Sequence, residues 1–172
     1  NVMGLWILES CRKEWEAKGI ETNYETLLSR VADIKGYCGF IFPDDERFVN
    51  PKSMTAAIRK QLRETKQEVY SDAVLITKII LDSLAFRYAS VIETIEKLTA
   101  THIEGIQIAG GGGKNDYLNR MTANACKKTV KAGLAEATVT GNLLVQAITA
   151  GRFADLKEAR KFIGENIELR SF

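Results

Sequence analysis

The chain has 172 residues, 45% of them apolar and 27% charged, with a net charge of +2. The length suits one domain with a real core, and the mixed charge gives no electrostatic case for a nucleic-acid partner. Its three cysteines, Cys11, Cys38 and Cys126, are odd in number and without a C-x-x-C pair. That indicates neither a zinc site nor a disulfide frame, and a reducing cytoplasm is expected. The most apolar stretch, Ala73 to Leu81, is broken by Lys78 and followed by Asp82, so no membrane partner is expected.

Apolar periodicity predicts helices at about 4–17, 24–34, 52–65, 72–99, 115–127, 136–150 and 156–166. The first carries Leu5, Trp6, Ile7, Leu8 and Trp15 among Glu9, Arg12, Lys13 and Glu16. Phe40-Ile41-Phe42 reads as a short strand ended by Pro43. Asp44, Asp45 and Glu46 form the acidic cluster near loop signals, and Pro-Asp-Asp favours a solvated turn over a metal site. Asn50 and Pro51 suit a cap and first position for the third helix, and Ser71 a cap for the fourth. On that long helix Ile80, Leu81, Leu84, Tyr88, Val91, Ile92, Ile95 and Leu98 share one face, expected to be core. Lys78, Asp82, Arg87, Ser90, Glu93, Thr94 and Lys97 share the polar one. His102 has no sequence neighbour to suggest catalysis and is expected at the surface.

The most informative stretch follows. An apolar run, Ile106 to Ala109, ends in Gly110, Gly111, Gly112 and Gly113, and a helical pattern starts at once with apolar positions 118, 121, 122 and 125. Ordered glycine runs are costly, and are kept where backbone must approach something or take positive φ. Thr129 to Gly133 reads as a second strand, and Ala135 to Ala150 as a helix stopped by Gly151. Strand, helix, strand, helix at this spacing is a parallel α/β unit. Its ligands sit beyond the carboxyl ends of the strands, where Gly110–Gly113 and Gly133–Glu136 fall.

The loop is not a P-loop, because Ile108 and Asn115 stand where Gly and Ser or Thr are needed. Nor is it the dinucleotide fingerprint: its third glycine would be Asn115, and Lys127, Lys128 and Lys131 stand where an acid should hold ribose. Those lysines read instead as a solvated helix end. A turn that merely lets strand and helix pack is the plainer alternative. Gly141 inside a helix costs ~1 kcal/mol relative to Ala, and either close helix packing or a ligand pocket would explain it. Asp155 and Glu158 make a capping pattern for the last helix.

Ile108-Ala109-Gly110-Gly111-Gly112-Gly113-Lys114-Asn115 resembles the adenosine motif of sugar kinases in the actin/hexokinase/Hsp70 ATPase superfamily. Three further runs extend the match along nearly the whole chain. They are Asn1-Val2-Met3-Gly4-Leu5-Trp6, Asp44-Asp45-Glu46-Arg47-Phe48-Val49-Asn50-Pro51, and Ala135-Glu136-Ala137-Thr138-Val139-Thr140-Gly141-Asn142. Together these are similar to the C-terminal domain of the FGGY carbohydrate kinases, above all the members acting on L-rhamnulose.

The resemblance implies an α/β fold, the helix-rich part of an actin/hexokinase/Hsp70-like (ribonuclease H-like) ATPase domain with few strands. It implies that 1–172 is the C-terminal nucleotide-binding domain of an enzyme of roughly 450–500 residues, against about 100–200 for one ordinary domain. The upstream strands, sugar-binding domain, catalytic aspartate and phosphate hairpins would then lie outside this chain, which begins inside a helix. No residue here is expected to be catalytic or to bind metal, and the piece alone is expected to be inactive. ATP is implied as co-substrate, with Mg²⁺, and the γ-phosphate would pass to the 1-hydroxyl of L-rhamnulose. Gly110, Gly111 and Gly112 would cradle adenosine, with Asn115 placed to reach the base; Gly113 departs slightly, larger residues being common there. Alternatives are a xylulose, fuculose or glycerol kinase of the same family, or a non-catalytic nucleotide-binding or assembly module. Two local strands make a poor open sheet, so exposed apolar surface and self-association of the piece are expected.

Overall fold

The computed structural model describes residues 2–133 and 136–172. Asn1, and Ala135 at the start of the expected sixth helix, lie outside the described residues. The chain first builds four helices, α1 (Trp6–Glu16), α2 (Tyr24–Asp33), α3 (Met54–Glu64) and α4 (Ala73–Thr99). It then alternates through β1 (Gly105–Ile108), α5 (Asp116–Cys126), β2 (Thr129–Ala132), α6 (Ala137–Thr149), α7 (Leu156–Asn166) and β3 (Arg170–Ser171). β1 pairs in parallel with β2, Ile106 opposite Val130, as the alternating pattern predicts. β3, which periodicity did not reveal in so short a segment, pairs antiparallel on the other side of β2.

The core belongs mainly to the helical part. Ile7, Leu8 and Cys11 of α1, Ile58 and Leu62 of α3 and Ile76, Ile79, Ile80, Leu81, Leu84 and Ala85 of α4 form one cluster with Phe48, which Leu118 of α5 joins. Burial pushes the Cys11 thiol far up, with Glu14 nearby adding to the effect, so it behaves as an apolar side chain.

The expected two-faced α4 is corrected. Its first half is buried on every side from Ile76 to Ala85, Lys78 and Asp82 included, whereas Ile95 and Leu98 are exposed, Leu98 to 81%. The cause is sandwiching: α2 and α5 both pack on α4. The two buried charges are paired internally, although Asp82 Oδ2 accepts no hydrogen bond. Lys78 Nζ lies 3.1 Å from Asp82 Oδ2 and 2.6 Å from the Tyr117 hydroxyl, which donates to Asp82 Oδ1 at 2.7 Å. Burial and that bond to Asp82 push the Tyr117 phenol far up, so it stays a neutral donor.

Phe40 to Phe42 is extended but forms no strand. Side chains take the place of a partner strand. Gln67 Oε1 accepts from Phe40 N–H while its Nε2 donates to Phe40 C=O, both at 2.7 Å. Ser83 Oγ accepts from Ile41 N–H at 2.9 Å and Gln61 Oε1 from Phe42 N–H at 2.7 Å.

Three helix starts also differ from expectation. α1 begins only at Trp6, so residues 2–4 lie outside the helix expected there. Ser53 caps α3, and Asn50 and Pro51 stay in the preceding loop. The Glu14 carboxylate strengthens this cap, accepting from Met54 N–H, Ser53 Oγ and Thr55 Oγ1. Asp72 caps α4 in place of Ser71, accepting from Val74 and Leu75 N–H at 2.9 and 3.0 Å. Its carboxylate suits a helix N-terminus better than a hydroxyl does. Asp155 caps α7 as expected, accepting from Glu158 N–H at 2.8 Å, and Glu158 accepts from Ala154 N–H at 2.7 Å.

The Asp44–Glu46 turn is a joint more than a solvated loop. Asp44 accepts from Met3 N–H at 2.8 Å and Arg87 Nε at 2.5 Å, while Asp45 holds Arg47 and Gln61. Lys128 is drawn in by Glu96 at 2.9 Å rather than solvated at a helix end. His102 is exposed, 3.0 Å from Glu96.

Candidate functional site

The glycine turn sits at the carboxyl end of β1, and its four glycines differ in what the fold asks of them. Gly110 has φ 79° and ψ −164°, a region essentially closed to side chains. It redirects the chain out of the sheet. Gly111 to Lys114 then wind into one 3-10 turn, closed by Gly113 N–H to Gly110 C=O and by Asn115 N–H to Gly112 C=O, both at 3.1 Å. Gly113 is buried, and a Cβ there would touch Ile108 C=O at 3.5 Å and the Ala132 Cβ at 3.6 Å.

Gly111 and Gly112 lack both the backbone requirement of Gly110 and the enclosure of Gly113. Their backbone angles are open to any residue, and a Cβ on Gly111 would meet nothing within 4 Å. On Gly112 it would meet only Ile108 Cγ2, at 3.9 Å. Internal packing therefore does not explain these two glycines. What they provide is bare backbone at the start of a turn, where N–H groups lack partners within the helix.

Asn115 is placed differently from the sequence expectation. It is fully buried as the cap of α5, accepting from Leu118 N–H at 2.9 Å and donating from Nδ2 to the Tyr24 hydroxyl at 2.8 Å. With both ends of its amide used inside the fold, it holds the turn and does not face outward. Burial pushes the Tyr24 phenol up despite the bond from Asn115, so it is a neutral acceptor there. The Arg12 guanidinium lies over its ring, 5.4 Å from the centroid. A chain of contacts thus runs from α1 through α2 to the turn.

Two further side chains secure the turn. The Gly113 carbonyl accepts from Asn119 Nδ2 at 3.0 Å and from an Arg170 guanidinium nitrogen at 2.7 Å, and Arg170 also pairs with Asp116. Asn115 and Asn119, four apart on one helix, carried a readable signal. Arg170, 57 residues from Gly113, carried none. Arg170 and Asp116 are each about half exposed, 47% and 51%, so their pair adds less than about 1 kcal/mol to stability.

Cavities flank the turn on two sides. One of about 740 Å³ lies between α2 and α5, lined by Leu28, Tyr37, Lys78, Lys114, Tyr117 and Arg120 among others. Another of about 570 Å³ is lined by Leu5, Tyr88, Ile108, Gly112, Asn119 and Thr122 among others. Both fall in the size range of small-molecule sites. Asn119 Oδ1 and Thr122 Oγ1 are buried there without a hydrogen-bond partner. Gly141 borders a third cavity, between α6 and α7, and a Cβ on it would meet nothing within 4 Å, which overturns its packing explanation.

Among the described residues no three His, Cys, Asp or Glu side chains gather as metal ligands, and no helix is long and apolar enough to cross a membrane.

Residues 1–150 match the FGGY family of carbohydrate kinases, C-terminal domain. The whole chain aligns with the rhamnulokinase of Bacteroides thetaiotaomicron at 38% identity over 172 residues, covering 35% of that protein. It aligns with the rhamnulokinase of Bacillus subtilis at 34%, again over 35% of its length. With that of Pectobacterium carotovorum subsp. carotovorum the identity is 36% over 173 residues and 34% of its length. The chain thus spans about a third of the curated relatives it matches. With its glycine turn at a strand's carboxyl end and its helices around a small mixed sheet, the chain belongs to the FGGY family of carbohydrate kinases, whose C-terminal domain has the actin/hexokinase-like ATPase fold.

Proposed function

We propose that this chain forms the adenosine-binding part of a sugar kinase, and that the intact protein transfers the γ-phosphate of ATP to the 1-hydroxyl of L-rhamnulose. In that reaction the sugar oxygen bonds to the γ-phosphorus, the bond to the β–γ bridging oxygen breaks, ADP leaves and the hydroxyl proton passes to a base. No described residue is assigned as that base. This chain's share is positioning, the main resource of a phosphoryl-transfer enzyme.

One observation carries the reading: Gly111 and Gly112 are bare where the fold itself would accept a side chain. A flat purine and ribose pressed against this backbone would require it. Gly110 sets the direction of the cradle, and Asn115 acts by fixing the turn from within. Mg²⁺ is implied by the chemistry of kinases, but the residues described here do not suit it. Asp116, the carboxylate next to the turn, is already paired with Arg170. The choice of L-rhamnulose rests on the names of the relatives. A cytoplasmic enzyme agrees with three free cysteines.

The test is Gly111→Val in the intact protein. Loss of ATP binding with an unchanged melting temperature supports the cradle. Unchanged ATP binding overturns it. A kinase assay comparing L-rhamnulose with L-fuculose, D-xylulose and glycerol tests the sugar, and a preference for any of the other three would correct it.

A further inference from the structure

The matched family domain ends at residue 150, yet the glycine turn is held by a residue beyond that limit. We propose that the C-terminal segment after residue 150 is a brace for the nucleotide cradle and that Arg170 is its positioning residue; this rests on the adenosine reading above.

Three observations carry it. β3 lies on β2 with Arg170 opposite Ala132, and Phe172 exchanges both backbone bonds with Val130, at 2.9 and 3.2 Å. That register brings Arg170 to the carboxyl ends of the parallel strands, where the turn begins. Second, the approach of the segment needs Gly133, on which a Cβ would stand 3.0 Å from Glu168 C=O and 3.1 Å from Leu169 Cδ2. Third, the Arg170 guanidinium divides its donors between the Gly113 carbonyl and the Asp116 carboxylate, either side of Asn115. Gly113 N–H closes the turn on Gly110 while Gly113 C=O is held by Arg170, so both peptide groups of Gly113 are tied and the span over Gly111 and Gly112 is restrained.

A stability role does not account for this geometry, because the Arg170 and Asp116 side chains are each about half exposed. What Arg170 restrains is the segment with the most backbone freedom in the chain. Ordering it before the ligand arrives reduces the entropy lost on binding.

The experiment compares Arg170→Ala, Arg170→Lys and Gly111→Val in the intact protein, reading KM for ATP, KM for the sugar, Kd for ADP and melting temperature. Arg170→Ala is expected to raise KM for ATP and Kd for ADP about tenfold. KM for the sugar should stay within about twofold, and the melting temperature within about 2 °C. Arg170→Lys, which keeps one of the two contacts, should recover part of the loss. Arg170→Ala without effect on nucleotide, while Gly111→Val abolishes binding, would overturn the brace alone. Both variants without effect would overturn the adenosine reading beneath it. A fall in melting temperature with both KM values rising together would make Arg170 a fold residue and overturn the positioning role.

Discussion

The helical part and the sheet part of this molecule are built on opposite plans. In α1 to α4 the interior is filled by large side chains such as Ile7, Phe48, Met54, Ile79 and Leu84, and buried polar groups are paired, as with Lys78, Asp82 and Tyr117. In the strands, α6 and α7 the buried apolar residues among those described are few and small: Val130, Ala132 and Ala159. There the chain is held by hydrogen bonds to a glycine turn, from Asn119 and Arg170. α6 carries the contrast further, since none of its described residues is buried and Val139, Leu143 and Val145 are exposed. Buried apolar bulk is concentrated in one part, and the other presents the bare glycine backbone that we propose as the adenosine cradle. Variants should therefore divide into those that unfold the chain and those that only spoil the cradle.

The largest effect is expected at Asp82. Asp82→Ala leaves the Lys78 ammonium buried without its counter-charge, and such a loss costs about 3–5 kcal/mol. Urea unfolding followed by far-UV circular dichroism would read it, and a loss below about 1 kcal/mol would contradict the buried pair. Gly110→Ala comes next. It forces a side chain into a glycine-only backbone region, at about 1–3 kcal/mol. Part of that strain is expected as weaker ADP binding because the turn can relax; a variant that loses stability but keeps full ADP affinity would separate Gly110 from the cradle.

The smallest and broadest effect is that of acid. Burial alone would raise the Glu14 carboxyl, but bonds from Thr55, Ser53 and the backbone of Met54 and Thr55 outweigh it and hold it below its usual 4.5. Asp44 is likewise held below 3.8, where bonds from Met3 and Arg87 overcome its burial, and Asp45 is lowered chiefly by Arg47. A carboxyl depressed in the folded state stabilises fully above its unfolded pKa and loses that contribution as pH falls through the folded one. Unfolding midpoints should therefore be flat near pH 7 to 5 and fall below about pH 4.5. These three groups lie in the helical part. Glu14→Gln should flatten part of the slope; an unchanged slope would remove Glu14 from this account.

Periodicity was enough to locate the helices and the parallel pair β1–β2, because apolar spacing reports which face is covered. It was insufficient where tertiary contacts replace a local rule. Phe40 to Phe42 has the composition of a strand, but Gln61, Gln67 and Ser83 bond its peptides and no partner strand is needed. Lys78 and Asp82 look solvated until α5 covers them with Tyr117. Of the cradle, Gly110 to Gly112 were legible as a run. The inward turn of Asn115 depends on Tyr24, 91 residues earlier, and the restraint on Gly113 on a residue near the end of the chain. Neither leaves a periodic trace.

The most direct test of the central claim is calorimetric titration of the intact protein with adenosine and with ADP, before and after Gly111→Val. If the glycine turn cradles adenosine, the wild-type protein binds both, and the variant, melting at the same temperature, binds neither. Equal binding by the two proteins would contradict it, and so would loss of binding that occurs only together with loss of the fold.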